Sequence, residues 1–179
     1  MCAPLDAPPL SYSNPECIGV TLKYTAILNE ILIDMPKLFV IEQSYYFEAP
    51  LRKVFQALTD PKMLVKWFLS NAKVAPKKGG SYSFDWIGGY HMTGKVKHFE
   101  KNRAVSFSWC DKLWNGELAR TTASFKVARK GHGTSLRLRH TGFEDPEHFA
   151  ECSSRWGYYL TNMKSVLDHG TDLRSKYDW

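Results

Sequence analysis

The residue best suited to chemistry in this 179-residue chain is His140. Leu136, Leu138 and His140 alternate with Arg137 and Arg139, so the imidazole shares one face of a predicted strand with two leucines. An imidazole on an apolar face can act as a general acid or base on a bound molecule. It can equally be a buried histidine that is held in place by a hydrogen bond. No carboxylate has an evident inward position from which to orient the ring, so both interpretations stay open.

Three further patterns bear on nucleophiles and cofactors. Cys152 lies on the apolar stripe of the C-terminal segment and would be a nucleophile only if His140 approached it, which no spacing indicates. His98 shares an alternation set with Met92 and Val96, but a two-histidine metal site would lack a third spaced ligand. The glycine pair before SYSFDWI precedes a strand rather than a helix, which argues against a phosphate-binding loop. We therefore expect neither a metal nor another cofactor.

Large apolar side chains supply a second kind of candidate site. Where the strands alternate, the residues expected to face inward are mostly aromatic, and the helices contribute further rings from the other side. Such a lining, with few polar groups, is what a pocket for an apolar ligand requires. The alternative is that the same side chains simply fill the core. The predicted ligand-binding set is Trp67, Phe68, Phe84, Trp86, Met92, Phe107, Trp109, Phe125, His140, Trp156, Tyr159 and Met163.

A long C-terminal helix must position part of this set. Asp145 is a good N-cap, Pro146 suits the first turn and Gly170 can end the helix. The apolar residues at helical spacing are Phe149, Cys152, Trp156, Tyr159, Leu160, Met163, Val166 and Leu167. A helix over this segment would be on the order of 36 Å long. Its apolar face is too large for water and requires a concave partner.

The region before this helix predicts that partner. The stretch from Leu38 alternates like a half-buried strand, and two short helices follow, the first opened by Pro50 and the second by Asp60 and Pro61. After a polar loop, SNAKVAPKKGG, come five strand-like segments joined by short turns: SYSFDWI, HMTGKVKHFEK, AVSFSWC, ARTTASFKVAR and TSLRLRHTG. Sequential strands with short turns form an antiparallel meander. The predicted fold class is therefore α+β, with a curved antiparallel sheet wrapped around the long C-terminal helix.

Composition narrows the classes of function. Apolar residues make up 44% of the chain and aromatic residues 14%, which indicates a globular protein. No apolar run reaches the roughly 18–20 residues of a membrane span. The net charge of +6 would suit nucleic acid, but the pairs Lys95/Lys97 and Arg137/Arg139 occupy every second position, as on the solvated face of a sheet. We therefore expect neither a nucleic-acid nor a membrane partner.

The cysteines indicate the compartment. Cys2, Cys17, Cys110 and Cys152 are scattered, with no spacing typical of a metal site or a disulfide framework. The N-terminus also lacks the basic start and apolar core of a secretory signal. Buried thiols in a reducing compartment fit this usage best, so we expect a cytoplasmic location.

Residues 1–37 differ from the rest of the chain. The early prolines, Pro4, Pro8, Pro9 and Pro15, favour a loosely ordered arm. The stretch IGVTLKYTAILNEILIDM could instead form a short amphipathic helix, and a start at Met35 is a further interpretation. We expect an N-terminal extension over 1–37 and a single domain over 38–179.

A series of short motifs, in order over about residues 39–170, resembles a known family: FEAPLRKVFQALTDPKMLVKWF, PKKGGSYSF, GKV, VSFSW, GTSLRLRHTGF and RWGYYLTNMKSVLDHG. The set is similar to the AHSA-type branch of the START/birch-pollen-allergen-like superfamily, SRPBCC. These are relatives of the C-terminal domain of the activator of the ninety-kilodalton heat-shock protein ATPase. The resemblance implies a helix-grip fold, in which an antiparallel sheet grips the C-terminal helix. It also implies a cavity between sheet and helix that commonly takes apolar or aromatic small molecules.

We therefore expect this protein to bind a small apolar or aromatic molecule between sheet and helix. One alternative is an enzyme of the same fold, a hydrolase or a cyclase/aromatase-like protein, that uses His140 as its acid/base. Another is an interaction module that activates a chaperone ATPase in a stress response; a homodimer is also an open alternative. The eukaryotic co-chaperone has a separate N-terminal domain, for which residues 1–37 are too short.

Overall fold

The computed structural model describes residues 39–113 and 115–174. The predicted extension over 1–37, its amphipathic helix, the start at Met35 and the cysteines Cys2 and Cys17 lie outside these residues, so the predictions made for them stay predictions. No helix in the described part of the chain is both long enough and apolar enough to cross a membrane.

Seven antiparallel strands form one sheet in the order β1-β7-β6-β5-β4-β3-β2. The strands are β1 (Phe39–Phe47), β2 (Asn71–Val74), β3 (Ser81–Asp85), β4 (His91–Glu100), β5 (Ala104–Lys112), β6 (Leu118–Lys130) and β7 (Gly133–Phe143). All but one of the neighbouring pairs are consecutive in the chain, because short turns join them. The exception pairs β1 with β7, which brings the first strand beside the last. The predicted meander and its turns are confirmed.

Two details of the sheet differ from the predictions. The loop predicted over SNAKVAPKKGG was wrong in part, because β2 lies within it as a short edge strand whose side chains are mostly polar and give little alternation signal. His98 was expected to face inward with Val96, but it is exposed. The register between β4 and β5 shifts between these two residues, so the extra residue reverses the alternation and turns His98 to solvent.

Two short helices connect β1 to β2. Helix α1 (Leu51–Thr59) follows Pro50 and buries Val54, Phe55 and Leu58 against the core. Helix α2 (Pro61–Leu64) begins at Asp60, whose side chain accepts a hydrogen bond from the backbone N–H of Lys62 at 2.8 Å. The chain then turns through residues 65–68, which places the rings of Trp67 and Phe68 under the sheet.

The long helix α3 (Pro146–Lys164) packs across the concave face of the sheet. Its N-cap is Asp145, which accepts a hydrogen bond from the backbone N–H of His148 at 2.7 Å. A π-helical turn, Ser165–His169, follows without interruption, and Gly170 ends it with a φ of 72°. The predicted start and end of the helical segment are confirmed, whereas the change to π-helical hydrogen bonding near its end was not expected.

Aromatic rings dominate the interior between sheet and helix. Phe68 lies at the centre, with ring centroids 4.9 Å from Trp67, 5.5 Å from Trp156 and 4.9 Å from Tyr159. The outer face of the sheet carries the exposed cations of β4 and β7, as the alternation predicted. The core therefore lies on one side of the sheet, with α3 as its other wall.

Candidate functional site

A cleft of about 740 Å³ opens between the first half of α3, the turn that joins β3 to β4, and the end of β5. Its aromatic lining consists of Phe68, Trp86, Tyr90, Trp109, Trp156 and Tyr159. Its other lining residues are Ile87, Asp111, Lys112, Leu113, Asp145, Glu147, His148, Glu151, Cys152 and Arg155. The cleft thus combines a large apolar wall with polar groups drawn from one strand end and one helix.

The twelve residues of the predicted ligand-binding set divide between this cleft and the filled core. Phe68, Trp86, Trp109, Trp156 and Tyr159 line the cleft. Trp67, Phe84, Phe107 and Phe125 surround a void of only about 10 Å³ deeper in the interior. Met92, His140 and Met163 are buried and line neither space. The set therefore lines an open cleft in one place and fills the core in another, and ligand binding by these residues stays a prediction.

His140 is held between two side chains in the core. Trp156 donates its indole N–H to Nδ1 of His140 at 3.0 Å. Since an indole nitrogen can only donate, Nδ1 must be an acceptor and the neutral ring carries its proton on Nε2. That nitrogen donates to the hydroxyl of Thr121 at 2.7 Å, and the hydroxyl in turn donates to the carbonyl oxygen of Trp109 at 3.4 Å. Both ring nitrogens are satisfied.

Burial also fixes the charge state of this ring. His140 has 0% exposure, and desolvation lowers its pKa from 6.5 to about 3, although the charge of Asp111 acts in the opposite direction. The ring is therefore neutral at neutral pH, and it orients the indole of Trp156 at the edge of the cleft. The role of His140 as an acid/base stays a prediction, and it would require the ring to give up one of its two hydrogen bonds.

A second polar cluster lies on the wall of the cleft itself. Asp111 accepts a hydrogen bond from Nε2 of His148 at 2.9 Å on its Oδ2 atom, and one from the hydroxyl of Tyr90 at 2.7 Å on Oδ1. The thiol of Cys152 lies 3.8 Å from the same Oδ2 atom. Asp111, His148 and Cys152 are all buried, with exposures of 9%, 6% and 7%. The cluster is thus a desolvated carboxylate with three donors around it.

No carboxylate hydrogen-bonds to His140, but one inward-facing carboxylate, which the sequence analysis did not identify, binds His148. Asp111 continues the inward alternation of Phe107 and Trp109, because β5 extends through Lys112 where a turn was expected. His148 lies one helical turn before Cys152 and so shares its face of α3. The alternation and the spacing of four residues were available as signals. The site was not predicted because the segment DKLWNGE, which contains Asp111, has a composition typical of a turn.

The thiol and phenol of this cluster hold their protons firmly. Burial, and next the charge of Asp111, raise the pKa of Cys152 to about 12. Burial, followed by the hydrogen bond to Asp111, also raises the pKa of Tyr90. Cys152 lies beside Asp111 and His148 rather than His140, so the nucleophile pair considered from the sequence does not form. A neutral thiol beside a carboxylate is a poor nucleophile.

Charged and apolar side chains share the mouth of the cleft. Glu151 and Arg155 form the ion pair that their spacing predicts, and both line the opening. Ile87 reaches the opening from the β3–β4 turn and is 73% exposed. An apolar side chain that is held in water at a cleft mouth can cover a ligand's apolar edge.

The fold and the aromatic cleft define a helix-grip protein, in which an antiparallel sheet holds a long C-terminal helix against its concave face. The chain belongs to the AHSA1 family, whose model is described as "Activator of Hsp90 ATPase homolog 1-like protein" and matches residues 48–168. The predicted family and fold are confirmed.

Solved structures of similar proteins share this architecture. The Aha1 dimer from Colwellia psychrerythraea is 25% identical, with a TM-score of 0.64 over 74% of this chain and 98% of that chain. CalU16 from Micromonospora echinospora is also 25% identical, with a TM-score of 0.55 over 69% of this chain and 71% of that chain. The protein SSP2350 from Staphylococcus saprophyticus is 18% identical, with a TM-score of 0.66 over 76% and 96%. A search of curated proteins found no match.

Proposed function

We propose that this protein binds a small, largely aromatic or apolar molecule in the cleft between α3 and the sheet. The observation that carries the proposal is the cleft of about 740 Å³ with its aromatic wall. Ligand pockets in proteins are typically about 300–1,000 Å³, mostly apolar, and contain a few placed polar groups. The volume of the cleft lies within this range and its inner wall is largely aromatic, while most of its charged residues come from the start of α3.

The polar groups of the cleft restrict the chemistry of the ligand. Asp111 and His148 lie together on the inner wall, whereas Arg155 and Glu151 lie at the mouth. A ligand with an aromatic or apolar body would stack against Trp86, Trp109 and Trp156 and would direct one hydrogen-bonding group to the inner wall. A wholly apolar ligand would leave the buried carboxylate without a new partner but would not disturb its existing bonds.

Two neighbouring tyrosines on α3 provide a direct test. Tyr159 lines the cleft and contacts the ring of Phe68, whereas Tyr158 is exposed and does not line it. A panel of lipids and aromatic metabolites would first be screened for compounds that raise the melting temperature. For a compound that does so, Tyr159→Ala is expected to raise the Kd about tenfold or more in titration calorimetry, because the ligand loses its contact with an aromatic ring.

Tyr158→Ala is the matched control, since it removes the same side chain from the adjacent position. Its Kd is expected to equal that of the unmodified protein. The proposal fails if no compound of the panel stabilises the fold, or if the two variants weaken binding equally.

Activation of a chaperone ATPase is the second candidate, and the family match over residues 48–168 favours it. The similarity to the Aha1 dimer supports the same candidate and an assembly of two copies. This function would use the protein surface and would not need a ligand in the cleft.

An enzyme that uses His140 is supported less well by the geometry. The ring does not line the cleft, and both of its nitrogens are engaged. If a bound compound were turned over, the Asp111 and His148 pair, which faces the cleft, would be better placed for proton transfer.

A further inference from the structure

We infer that Asp111, His148 and Cys152 form a binding site for a divalent transition-metal ion, with Zn²⁺ the best match, open on one side to the cleft. The inference goes beyond the proposed function, because the metal would bind whether or not an organic molecule occupies the cleft.

The three candidate ligand atoms are already close together. Oδ2 of Asp111 lies 2.9 Å from Nε2 of His148 and 3.8 Å from Sγ of Cys152, and all three atoms lie within 4.8 Å of one another. Ligand atoms around a tetrahedral Zn²⁺, at about 2.0–2.3 Å from the metal, are roughly 3.2–3.8 Å apart. Side-chain movements of roughly 1 Å or less would bring the observed separations into this range.

The donor set selects the type of metal. Thiolate sulfur and imidazole nitrogen are preferred ligands of Zn²⁺ and similar ions, whereas Ca²⁺ and Mg²⁺ take oxygen ligands. Metal binding would displace the thiol proton of Cys152 to solvent and leave the neutral imidazole of His148 with its proton on Nδ1. The thiolate and the carboxylate then carry two negative charges, which balance the two positive charges of a divalent ion, so the buried site has no net charge. Hard cations would gain only the carboxylate here.

The surroundings support three protein ligands and an open fourth position. His148 and Cys152 come from one face of α3, four residues apart, so a rigid helix fixes their relative placement. Tyr90 donates to Oδ1 of Asp111 and leaves Oδ2 directed at the other two ligands. All three ligands line the cleft, so water or a ligand atom from the cleft can complete the coordination.

Co²⁺ is the probe that reports most directly on Cys152. The full chain, without a purification tag, would be stripped with chelator and titrated with Co²⁺ and then with Zn²⁺ in competition. We expect one Co²⁺ per chain, a thiolate-to-cobalt charge-transfer band in the near ultraviolet, and loss of that band when Zn²⁺ displaces the cobalt.

Matched variants separate this site from the other thiols. Cys152→Ser is expected to abolish the band, whereas Cys110→Ser, in which the altered thiol lies on β5 outside the cleft lining, is expected to retain it. Double replacement of Cys2 and Cys17 by Ser is also expected to retain it. Asp111→Asn and His148→Gln should lose stoichiometric binding, and Tyr90→Phe should weaken it about 10- to 100-fold, because it removes the bond that orients Asp111.

Melting curves of each variant without metal would show whether a loss of binding reflects a loss of fold. Tyr90→Phe keeps the ring and so serves as the second measurement if Asp111→Asn does not fold. The inference is overturned if the folded chain takes up no stoichiometric metal, or if Cys152→Ser binds Co²⁺ as the unmodified protein does. Either outcome leaves the proposed organic ligand unaffected, because that ligand is tested without added metal.

Discussion

Two buried histidines show how the neighbours of a residue decide its role. His140 lies between the indole of Trp156 and the hydroxyl of Thr121, which are uncharged groups that fix its tautomer. His148 instead donates to the carboxylate of Asp111 on the wall of the cleft. The same side chain is thus a structural link in one place and part of a polar site in the other.

The lowered pKa of His140 makes the fold sensitive to acid. Because the folded pKa of about 3 lies below the ordinary value of 6.5, the unfolded chain takes up the proton first as the pH falls. This contribution to stability is complete above pH 6.5 and decreases below it. The amide of His140→Gln offers one donor and one acceptor for these two hydrogen bonds and does not titrate. Between pH 6.5 and 5, the free energy of unfolding of this variant should therefore fall by about 2 kcal/mol less than that of the unmodified protein, as measured in urea titrations.

His132→Gln is the control for this measurement, since His132 is exposed in the turn between β6 and β7. Its stability should depend on pH as that of the unmodified protein does. An unchanged pH dependence in His140→Gln would show that the ring is not kept neutral by burial.

At the scale of residues, the sequence predicted orientation better than contact. Alternation correctly placed His140 and Trp109 on the inner face and Arg139 on the outer face. It could not show that Trp156 bonds to His140, because that contact depends on how α3 crosses the sheet. Asp111 followed the same alternation, but the turn-like composition around it concealed the end of β5.

At the scale of elements, the end of α3 is tied to the corner between β1 and α1. Asp168, in the π-helical turn, accepts hydrogen bonds from the backbone N–H groups of Glu48 at 3.1 Å and Ala49 at 3.2 Å. Lys164 donates to its other oxygen at 2.6 Å and to the carbonyl oxygen of Tyr46 at 2.8 Å. The backbone N–H groups of this corner are therefore bound by a carboxylate from near the other end of the chain.

We expect Asp168→Ala to lower the free energy of unfolding by about 1–3 kcal/mol in urea titrations, because two backbone donors and one lysine lose a charged acceptor. Burial alone would raise the pKa of Asp168, but the hydrogen bonds from Lys164, Glu48 and Ala49 outweigh it and lower the pKa. The stabilisation should therefore be present at neutral pH and be lost as the pH falls below the ordinary aspartate range.

Glu151→Ala is the comparison for Asp168→Ala, since Glu151 also pairs with a cation four residues away, Arg155, but is exposed. It should change stability by about 0.5 kcal/mol or less. Equal effects of the two substitutions would show that the corner does not depend on Asp168.

The elements that the sequence predicted are those with strong periodicity or clear stop signals. The helix from Asp145 to Gly170 has both, and so do the five strands of the meander. Strand β2 lacked a signal because it is short, polar and at the sheet edge. The π-helical turn had none either, because its residues continue the helical spacing of α3, with Leu167 buried in the core.

At the scale of the whole molecule, the fold was predictable because one curved sheet and one amphipathic helix leave few ways to bury their apolar faces. For the cleft, the sequence predicted an aromatic lining between sheet and helix but not the position of the open space. Its position depends on where rings of different size meet, and the deeper set around Phe125 leaves almost no space.

The two candidate functions use different parts of the molecule, the cleft and the surface, so each needs its own measurement. Because the proposed function rests on the cleft alone, we expect that adding the protein to an Hsp90-type ATPase leaves the rate of ATP hydrolysis unchanged. Bovine serum albumin at the same concentration controls for non-specific protection of the ATPase. A saturating increase in the rate would favour the activator function that the family match suggests.

The indole rings around the cleft have an optical consequence. The centroids of Trp86 and Trp109 are 6.1 Å apart, and those of Trp109 and Trp156 are 5.3 Å apart. At such separations excitation energy passes readily between the rings, so a quencher beside any one of them would dim the emission of all three. A molecule that quenches indole emission would therefore report its own binding in the cleft through the protein's fluorescence, with no label attached.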